Sequence, residues 1–432
     1  MKFQQIFSSA KRASREIGIL KTEKKNALIL KIAENLIKNT SQILTENKKD
    51  CDLAISNGVG EMIDRLKLTK ERILEIANNC RQVAKLTDQV GKILEKKTRP
   101  NGLEIKRISV PIGVVGMIYE SRPNVTIDAA VLNLKSGNAV ILKGGSDARF
   151  SNKIFVQILK SSAQDCDINP DIFQFLDIKK REEIFDMLQA KEFIDLIIPR
   201  GGKNLINFVV KNSQIPIIET GASVVHVFVD RDADVEKSIK IVANSKFRRV
   251  SVCNAMDTLI LDQKIANDFL KNFLDLCQKK IESKEIPGLK IFVDQKAQKI
   301  IDKFNKTKYF NVKIKEITNF ENCFSTEFLD FAMNIKVISE FSEAIEHIQK
   351  FSLGHSECIC TEDKKKASEF FQKIDAAAVF WNASTGFSDG GEFGLGAEIG
   401  ISTQKLHARG PFALAGLTSY KWIVSGNGQI RK

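Results

Sequence analysis

Cys253, in the segment RRVSVCNAM, is the residue whose surroundings most favour nucleophilic chemistry. It follows an amphipathic stretch, 235–247, and precedes an apolar one. Arg248 and Arg249 stand just upstream, and nearby positive charge favours the thiolate, the form that attacks. The competing reading is a small buried hydrophobe, the usual fate of an isolated cysteine. A second group, His355, Cys358 and Cys360, has the spacing H-x-x-C-x-C. A strand over 357–361 would put both cysteines on one face. A structural zinc site takes four ligands, however, and no second cluster of Cys and His accompanies them, so no metal site is expected.

Three glycine-rich segments add to these. Lys143-Gly144-Gly145-Ser146 and Pro199-Arg200-Gly201-Gly202 each lie between an apolar run and a helical pattern. Glycines at such a turn let a phosphate approach the N–H groups that open a helix. Two successive turns of this kind point to a dinucleotide, although two-glycine turns are also common for steric reasons alone. The third, DGGEFGLGAEIG at 389–400, also holds Phe393, Leu395 and Ile399, which fits a loop that closes over a site as well as a flexible surface loop.

Elements to position these residues are legible in the apolar pattern. Ala27, Leu28, Leu30, Ile32, Ala33, Leu36 and Ile37 recur at helical spacing, and Thr69 precedes another such stretch, so residues 2 to about 95 read as helices. Arg99-Pro100-Asn101-Gly102 marks a hairpin turn. Beyond it, VVGMIY (114–119), AVILK (139–143), DLIIP (195–199), VHVFV (225–229) and TLILD (258–262) read as buried strands, with helices over 126–135, 151–161 and 203–212 between them. This alternation predicts βαβ units on a parallel sheet. Residues 233–246 and 263–284 continue the pattern into a second α/β domain, and SYKWIVSG (419–426) reads as a late strand.

The chain has 432 residues, of which 43% are hydrophobic and 28% charged, as in ordinary globular proteins. Its net charge, 66 − 53 = +13, comes from lysines scattered along the whole length. Nucleic-acid binding needs clustered basic stripes, so no nucleic-acid partner is expected. No run approaches the roughly 18 apolar residues of a membrane span. The N-terminus lacks the apolar core of a signal peptide, and the eight cysteines form no paired framework. Reduced thiols and a cytoplasmic location are therefore expected.

The long segments resemble the γ-glutamyl phosphate reductase (glutamate-5-semialdehyde dehydrogenase) family of the aldehyde dehydrogenase superfamily. The resemblance rests on VPIGVVGMIYESRPNVTIDAAVLNLKSGNAVILKGGSDARFSN (110–152), LIIPRGG (196–202), IIETG (217–221), SVCNAMDTL (251–259), NAST (382–385) and DGGEFGLGAEIGISTQKLHARGP (389–411). It covers most of the chain from residue 105 onward. The N-terminal part matches only in helical character and length.

This resemblance implies an α/β, aldehyde dehydrogenase-like fold. A Rossmann-like cofactor domain would be built from 1–95 and 111–229, an α/β catalytic domain from 230–400, and a small β oligomerisation arm from 96–110 and 415–432. It implies NADPH-dependent reduction of L-glutamyl 5-phosphate to L-glutamate 5-semialdehyde through a cysteine thioester, the second step of proline biosynthesis. The alternative is an oxidoreductase of the same fold with a different acyl or aldehyde substrate. By position, Cys253 falls on the nucleophile and Asn124 on the oxyanion-hole asparagine. Glu219 falls on the general base of hydrolysing relatives, Lys143 on the lysine that holds the adenosine ribose, and Glu327 on the glutamate that binds the nicotinamide ribose. Gly201 and Gly202 lie at the turn facing the cofactor. Ser146 stands where NAD-specific relatives carry a glutamate, so NADPH is expected over NADH. A homo-oligomer and coupling to glutamate 5-kinase are implied as well.

Three departures bear on substrate anchoring. Ala222-Ser223-Val224-Val225 replaces the family's Gly-Asn-Cys-His, Arg248-Arg249-Val250 replaces Gln-Arg-Pro, and Gly386 replaces an arginine after NAST. The expected consequence is a relocated charge, with Arg248 taking over the anionic anchor, helped by Arg249 and Arg122. The competing reading has Arg248 pointing to solvent at the end of its helix.

Overall fold

The computed structural model describes residues 2–58, 63–178, 180–304, 309 and 311–431. The helical pattern in the N-terminal stretch becomes, among others, the helix Thr22–Lys38, which buries Leu28, Ile29, Ile32, Ala33 and Leu36. Thr69 caps the helix Lys70–Lys85 by accepting from the Arg72 amide, one of the N–H groups that a first helical turn leaves unpaired. The hairpin at 99–102 joins β1 (Ile93–Thr98) to β2 (Glu104–Pro111), so strand structure begins slightly before the expected end of the helical region. The C-terminal strand Thr418–Ser425 pairs antiparallel with the other edge of β2.

The apolar runs that follow form a four-stranded parallel sheet. Its strands are β3 (Val114–Tyr119), β4 (Ala139–Lys143), β5 (Phe173–Phe175) and β6 (Leu196–Arg200), in the order β5-β4-β3-β6. Every residue of β3 is buried, which is why the run is continuously apolar rather than alternating. This is the doubly wound order, with its switch point between β3 and β6, where such sheets bind ligands beyond the carboxyl ends.

A second parallel sheet has seven strands. They are β7 (His226–Val229), β8 (Thr258–Asp262), β9 (Leu289–Val293), β10 (Val312–Glu316), β11 (Ala332–Ile338), β12 (Ser356–Cys360) and β13 (Ala378–Trp381). The order is β10-β9-β11-β8-β7-β12-β13.

The chain divides into two compact units, Met1–Thr220 with Gly394–Gly400 and Leu406–Lys432, and Gly221–Phe393 with Ile401–Lys405. The expected boundary at 229/230 therefore moves to 220/221. β7 satisfies both its edges against β8 and β12 and so belongs to the second sheet. Residues 394–400 likewise group with the first unit rather than with the second.

One buried carboxylate fixes the helix that follows the Lys143 turn. Asp50, on the helix Thr40–Ser56, is 1% exposed and accepts from Phe150 N (3.0 Å), Ser151 N (2.8 Å) and Ser151 Oγ (2.6 Å). These amides open the helix Arg149–Asp165, so Asp50 caps it from outside. Removing the acceptor strands three donors, at a cost of about 2–3 kcal/mol. Asp50→Ala is expected to lower the thermal midpoint by roughly 5–10 °C. Asp50→Asn, which keeps one acceptor, should lose less, and calorimetry showing equal midpoints for Asp50→Ala and the parent would refute the capping role.

Candidate active site

In the second unit, four chemistry-bearing residues stand just before the amino ends of four neighbouring strands. Ser223 precedes β7, Cys253 precedes β8, Glu327 precedes β11 and His355 precedes β12, and these strands are adjacent in the order β11-β8-β7-β12. Parallel strands start on one edge of a sheet, so this register gathers the four along one rim.

Cys253 lies in a turn after the helix Val235–Phe247, closed by the Ala255 amide on Val252 O (3.1 Å). The turn is clamped from several sides. Asn254 O accepts from Thr385 Oγ1 at 2.8 Å, and the Asn254 side-chain Nδ2 donates to Ser388 O at 3.0 Å. Met256 N bonds back to Ser245 O at 3.0 Å. Ser223 Oγ hydrogen-bonds the Cys253 carbonyl and also stands 3.1 Å from Glu327 Oε1. The thiol itself is half-buried, and its Sγ lies 3.1 Å from His355 Nε2.

Behind the rim the unit carries buried charge. Asp257 accepts from Val225 N (3.1 Å) and Phe328 N (2.9 Å), tying together the segments that carry Ser223 and Glu327. Burial pushes its carboxyl up to about 6, against the opposing pull of Lys246. Lys246, fully buried, is pulled down to about 8 by loss of hydration. Burial alone takes His355 down to about 4, so its imidazole is neutral near pH 7.

Arg248 and Arg249 are exposed at the end of the helix Val235–Phe247. Arg248 does not simply trail into solvent. Its Nε lies 3.0 Å from where a Cβ on Gly386 would stand, so its side chain fills the space that a side chain at 386 would enter.

The first unit presents the carboxyl ends of its sheet. A cleft of about 240 Å³ there is lined by Glu120, Lys143, Ile178, Ile184, Asn204, Leu205 and Phe208. Burial lowers the Lys143 ammonium from its ordinary value, and Asp147 and Glu120 oppose the shift. Apolar walls with one cation and one carboxylate suit the adenosine half of a dinucleotide. Ser146 opens the short turn Ser146–Ala148, where the Asp147 carboxylate accepts from Ser121 Oγ.

At the Gly201–Gly202 turn, Glu120 stands where the resemblance puts the cofactor. The Gly202 amide donates to Glu120 Oε2 at 2.8 Å, so a carboxylate already occupies the start of the helix Lys203–Asn212. A Cβ on Gly201 would stand 2.5 Å from that same oxygen, so a side chain there would displace the Glu120 carboxylate.

Asn124 starts the helix Asn124–Lys135, and its Nδ2 donates to Asp128 Oδ2 at 3.0 Å. An amide nitrogen has two hydrogens, so Asp128 takes one and orients the other. A small cleft on this unit is lined by Arg122, Asn124, Asp128, Arg200 and Glu398 among others. Glu219 follows a short parallel bridge of Ile217 to Ile197 on β6, and Thr220 Oγ1 donates to Pro199 O at 2.8 Å.

Several of these contacts had no clear signal in the sequence. In the sequence His355 reads only as one of three possible metal ligands. Its Nε2 faces Cys253, while Cys358 Sγ donates to Ala383 O at 3.2 Å, so the three do not converge. Ser223 registered as a departure from a familiar run, and Glu120 and Asp128 belonged to no motif with a stated role.

A sequence model of the aldehyde dehydrogenase family matches residues 1–284. The γ-glutamyl phosphate reductase of Legionella pneumophila (strain Paris) is 46% identical over 422 residues, covering 98% of this chain and 97% of its own. That of Caldanaerobacter subterraneus subsp. tengcongensis is 46% identical over 426 residues, covering 98% of each. The crystal structure of γ-glutamyl phosphate reductase from Thermotoga maritima superposes with a TM-score of 0.93 at 40% identity, covering 100% of both chains. An acetylating aldehyde dehydrogenase from Geobacillus thermoglucosidasius, at 16% identity and a TM-score of 0.68, shares the fold. The chain belongs to the γ-glutamyl phosphate reductase family, within the aldehyde dehydrogenase family.

Proposed function

We propose that this enzyme reduces L-glutamyl 5-phosphate to L-glutamate 5-semialdehyde and phosphate, with NADPH as reductant and a thioester on Cys253, as the second step of proline biosynthesis. The observation that carries the reading is the half-buried Cys253 thiol on a clamped turn, with His355 against it and Ser223 and Glu327 behind it, in a chain whose relatives are reductases of this name.

Cys253 Sγ attacks the γ-carbonyl. The resulting oxyanion accepts from the Asn124 amide hydrogen that Asp128 leaves available, and from the Cys253 backbone N–H. Each such donor lowers the barrier by about 2.7–4 kcal/mol. Phosphate departs and the thioester remains. The nicotinamide, when bound, supplies the hydride that takes the acyl group to the aldehyde, and Cys253 is released as thiolate. Glu219 is not asked to activate water, because the acyl group leaves as aldehyde and not as acid. Water must be kept from the thioester, a task suited to the loop 389–400.

Lys143 and Ser146 hold the adenosine ribose. A cation beside a small neutral side chain tolerates a 2′-phosphate, which favours NADPH over NADH. Glu327 holds the nicotinamide ribose, with its carboxylate oriented by Ser223 Oγ. The enzyme acts in the cytoplasm, coupled to the glutamate 5-kinase that makes its labile substrate. It assembles as a homo-oligomer through the antiparallel sheet, where Tyr420, Trp422 and Val424 are exposed.

Glutamate 5-semialdehyde and NADP⁺ should give NADPH in repeated turnovers only when inorganic phosphate is added, with at most one NADPH per site formed without it. Continuous phosphate-independent reduction of NADP⁺ would point instead to an oxidoreductase of the same fold with a different acceptor.

The anchor for the substrate's anionic groups is Arg248, with Arg249 and Arg122 assisting. The support is spatial, since the Arg248 side chain occupies the room beside Gly386 in which the family's arginine would begin. Arg248→Gln should raise KM for glutamyl phosphate or phosphate at least about tenfold with little change in kcat. Adding Gly386→Arg to that variant should restore it, because the space is then free. Unchanged kinetics in Arg248→Gln would leave Arg248 out of the site.

A further inference from the structure

We propose that His355 is the hydrogen-bond donor that holds and stabilises the Cys253 thiolate, acting as a neutral imidazole and not as a base. The proposal rests on Cys253 being the nucleophile.

The geometry accommodates the tautomer that this role requires. His355 is fully buried, with Nδ1 2.8 Å from Ser356 Oγ and Nε2 3.1 Å from Cys253 Sγ. A neutral imidazole carries one N–H and one acceptor nitrogen. Ser356 can donate its hydroxyl hydrogen to Nδ1, which leaves the ring hydrogen on Nε2, pointed at sulfur. A thiolate accepts that hydrogen, and a bond to an ionised acceptor is stronger than one between neutral groups.

The surroundings do not favour an imidazolium there. Glu357, next but one on β12, spends Oε2 on the His226 amide and on His226 Nδ1, each at 3.0 Å. Arg248 and Arg249, upstream of the thiol on its own segment, are cations and would oppose a further positive charge. Burial draws the ring well below the pH at which it would hold a proton from a thiol. A neutral donor also suits both halves of the reaction. It stabilises the thiolate that attacks and the thiolate expelled when the thiohemiacetal collapses, and no proton need be parked on the ring between the two.

The test is the pH profile of Cys253 alkylation by iodoacetamide, followed on the Cys253 peptide by mass spectrometry and compared with turnover. In the parent enzyme the rate should follow a single thiol titration and fall away toward pH 5. His355→Gln keeps an N–H donor and should stay within about threefold of the parent in both alkylation and kcat/KM. His355→Ala should raise the thiol pKa by about one unit and lower kcat/KM at pH 7 at least about tenfold. Ser356→Ala, which frees the tautomer, should shift both in the same direction by less, and it keeps the test open should His355→Ala fail to fold.

Fast alkylation persisting at pH 5 and abolished in His355→Gln would show a thiolate–imidazolium pair and overturn the proposal. So would a parent-like profile in His355→Ala. Cys253→Ser separates the two readings. If it abolishes turnover while His355→Ala resembles the parent, only the role of His355 fails, whereas turnover in Cys253→Ser would remove the nucleophile and the donor role together.

Discussion

A thiol that forms a covalent intermediate must be exposed enough to reach its substrate and fixed enough to meet it at one angle. The turn around Cys253 meets both demands. Its neighbour Asn254 is bonded through carbonyl and side-chain amide to the segment 385–388, its own carbonyl is held by Ser223, and its sulfur rests against His355. None of these bonds is strong alone, at about 0.5–1.5 kcal/mol net each. Together they replace the rotational freedom that a surface cysteine would have, and that ordering is what makes an attack geometry reproducible.

Each sheet presents its groups at a different end of its strands. In the first unit Lys143, Glu120 and the Gly201 turn stand at the carboxyl ends of their strands, the end at which doubly wound sheets bind ligands. In the second unit the reactive groups precede the amino ends. Chemistry at that rim needs strands whose start points align, and the neighbouring order β11-β8-β7-β12 provides this. Asp257, held between Val225 and Phe328, keeps two of those approaches together. Asp257 and Lys246 are both buried, and that burial raises the one's carboxyl and lowers the other's ammonium.

Much of this was legible in the residues. The runs 114–119, 139–143 and 258–262 became strands because unbroken apolar stretches bounded by turn residues have few other uses. The helix Val235–Phe247 and the cap at Thr69 followed from spacing and from a side-chain acceptor. The placement of β7 was not legible, because its partner Cys360 lies far along the chain and local pattern says nothing of such pairing. His355 carried a signal of the wrong kind, since its spacing to Cys358 and Cys360 invites a metal reading while its partner Cys253 is a hundred residues away. Ser223 and Gly386 stood out only as departures, and their meaning is spatial. One hydroxyl links a carbonyl and a carboxylate, and one missing side chain makes room for Arg248.

The central claim is that the acyl group passes through Cys253, and the most direct measurement is the chemical state of that side chain in mid-reaction. Enzyme supplied with glutamate 5-semialdehyde and NADP⁺ but no phosphate should stall as the thioester. Peptide mass spectrometry should then find a glutamyl group on Cys253 that hydroxylamine removes and that disappears when phosphate is added. An unmodified Cys253 in enzyme that turns over normally with phosphate, or a glutamyl group on another residue, would contradict the account.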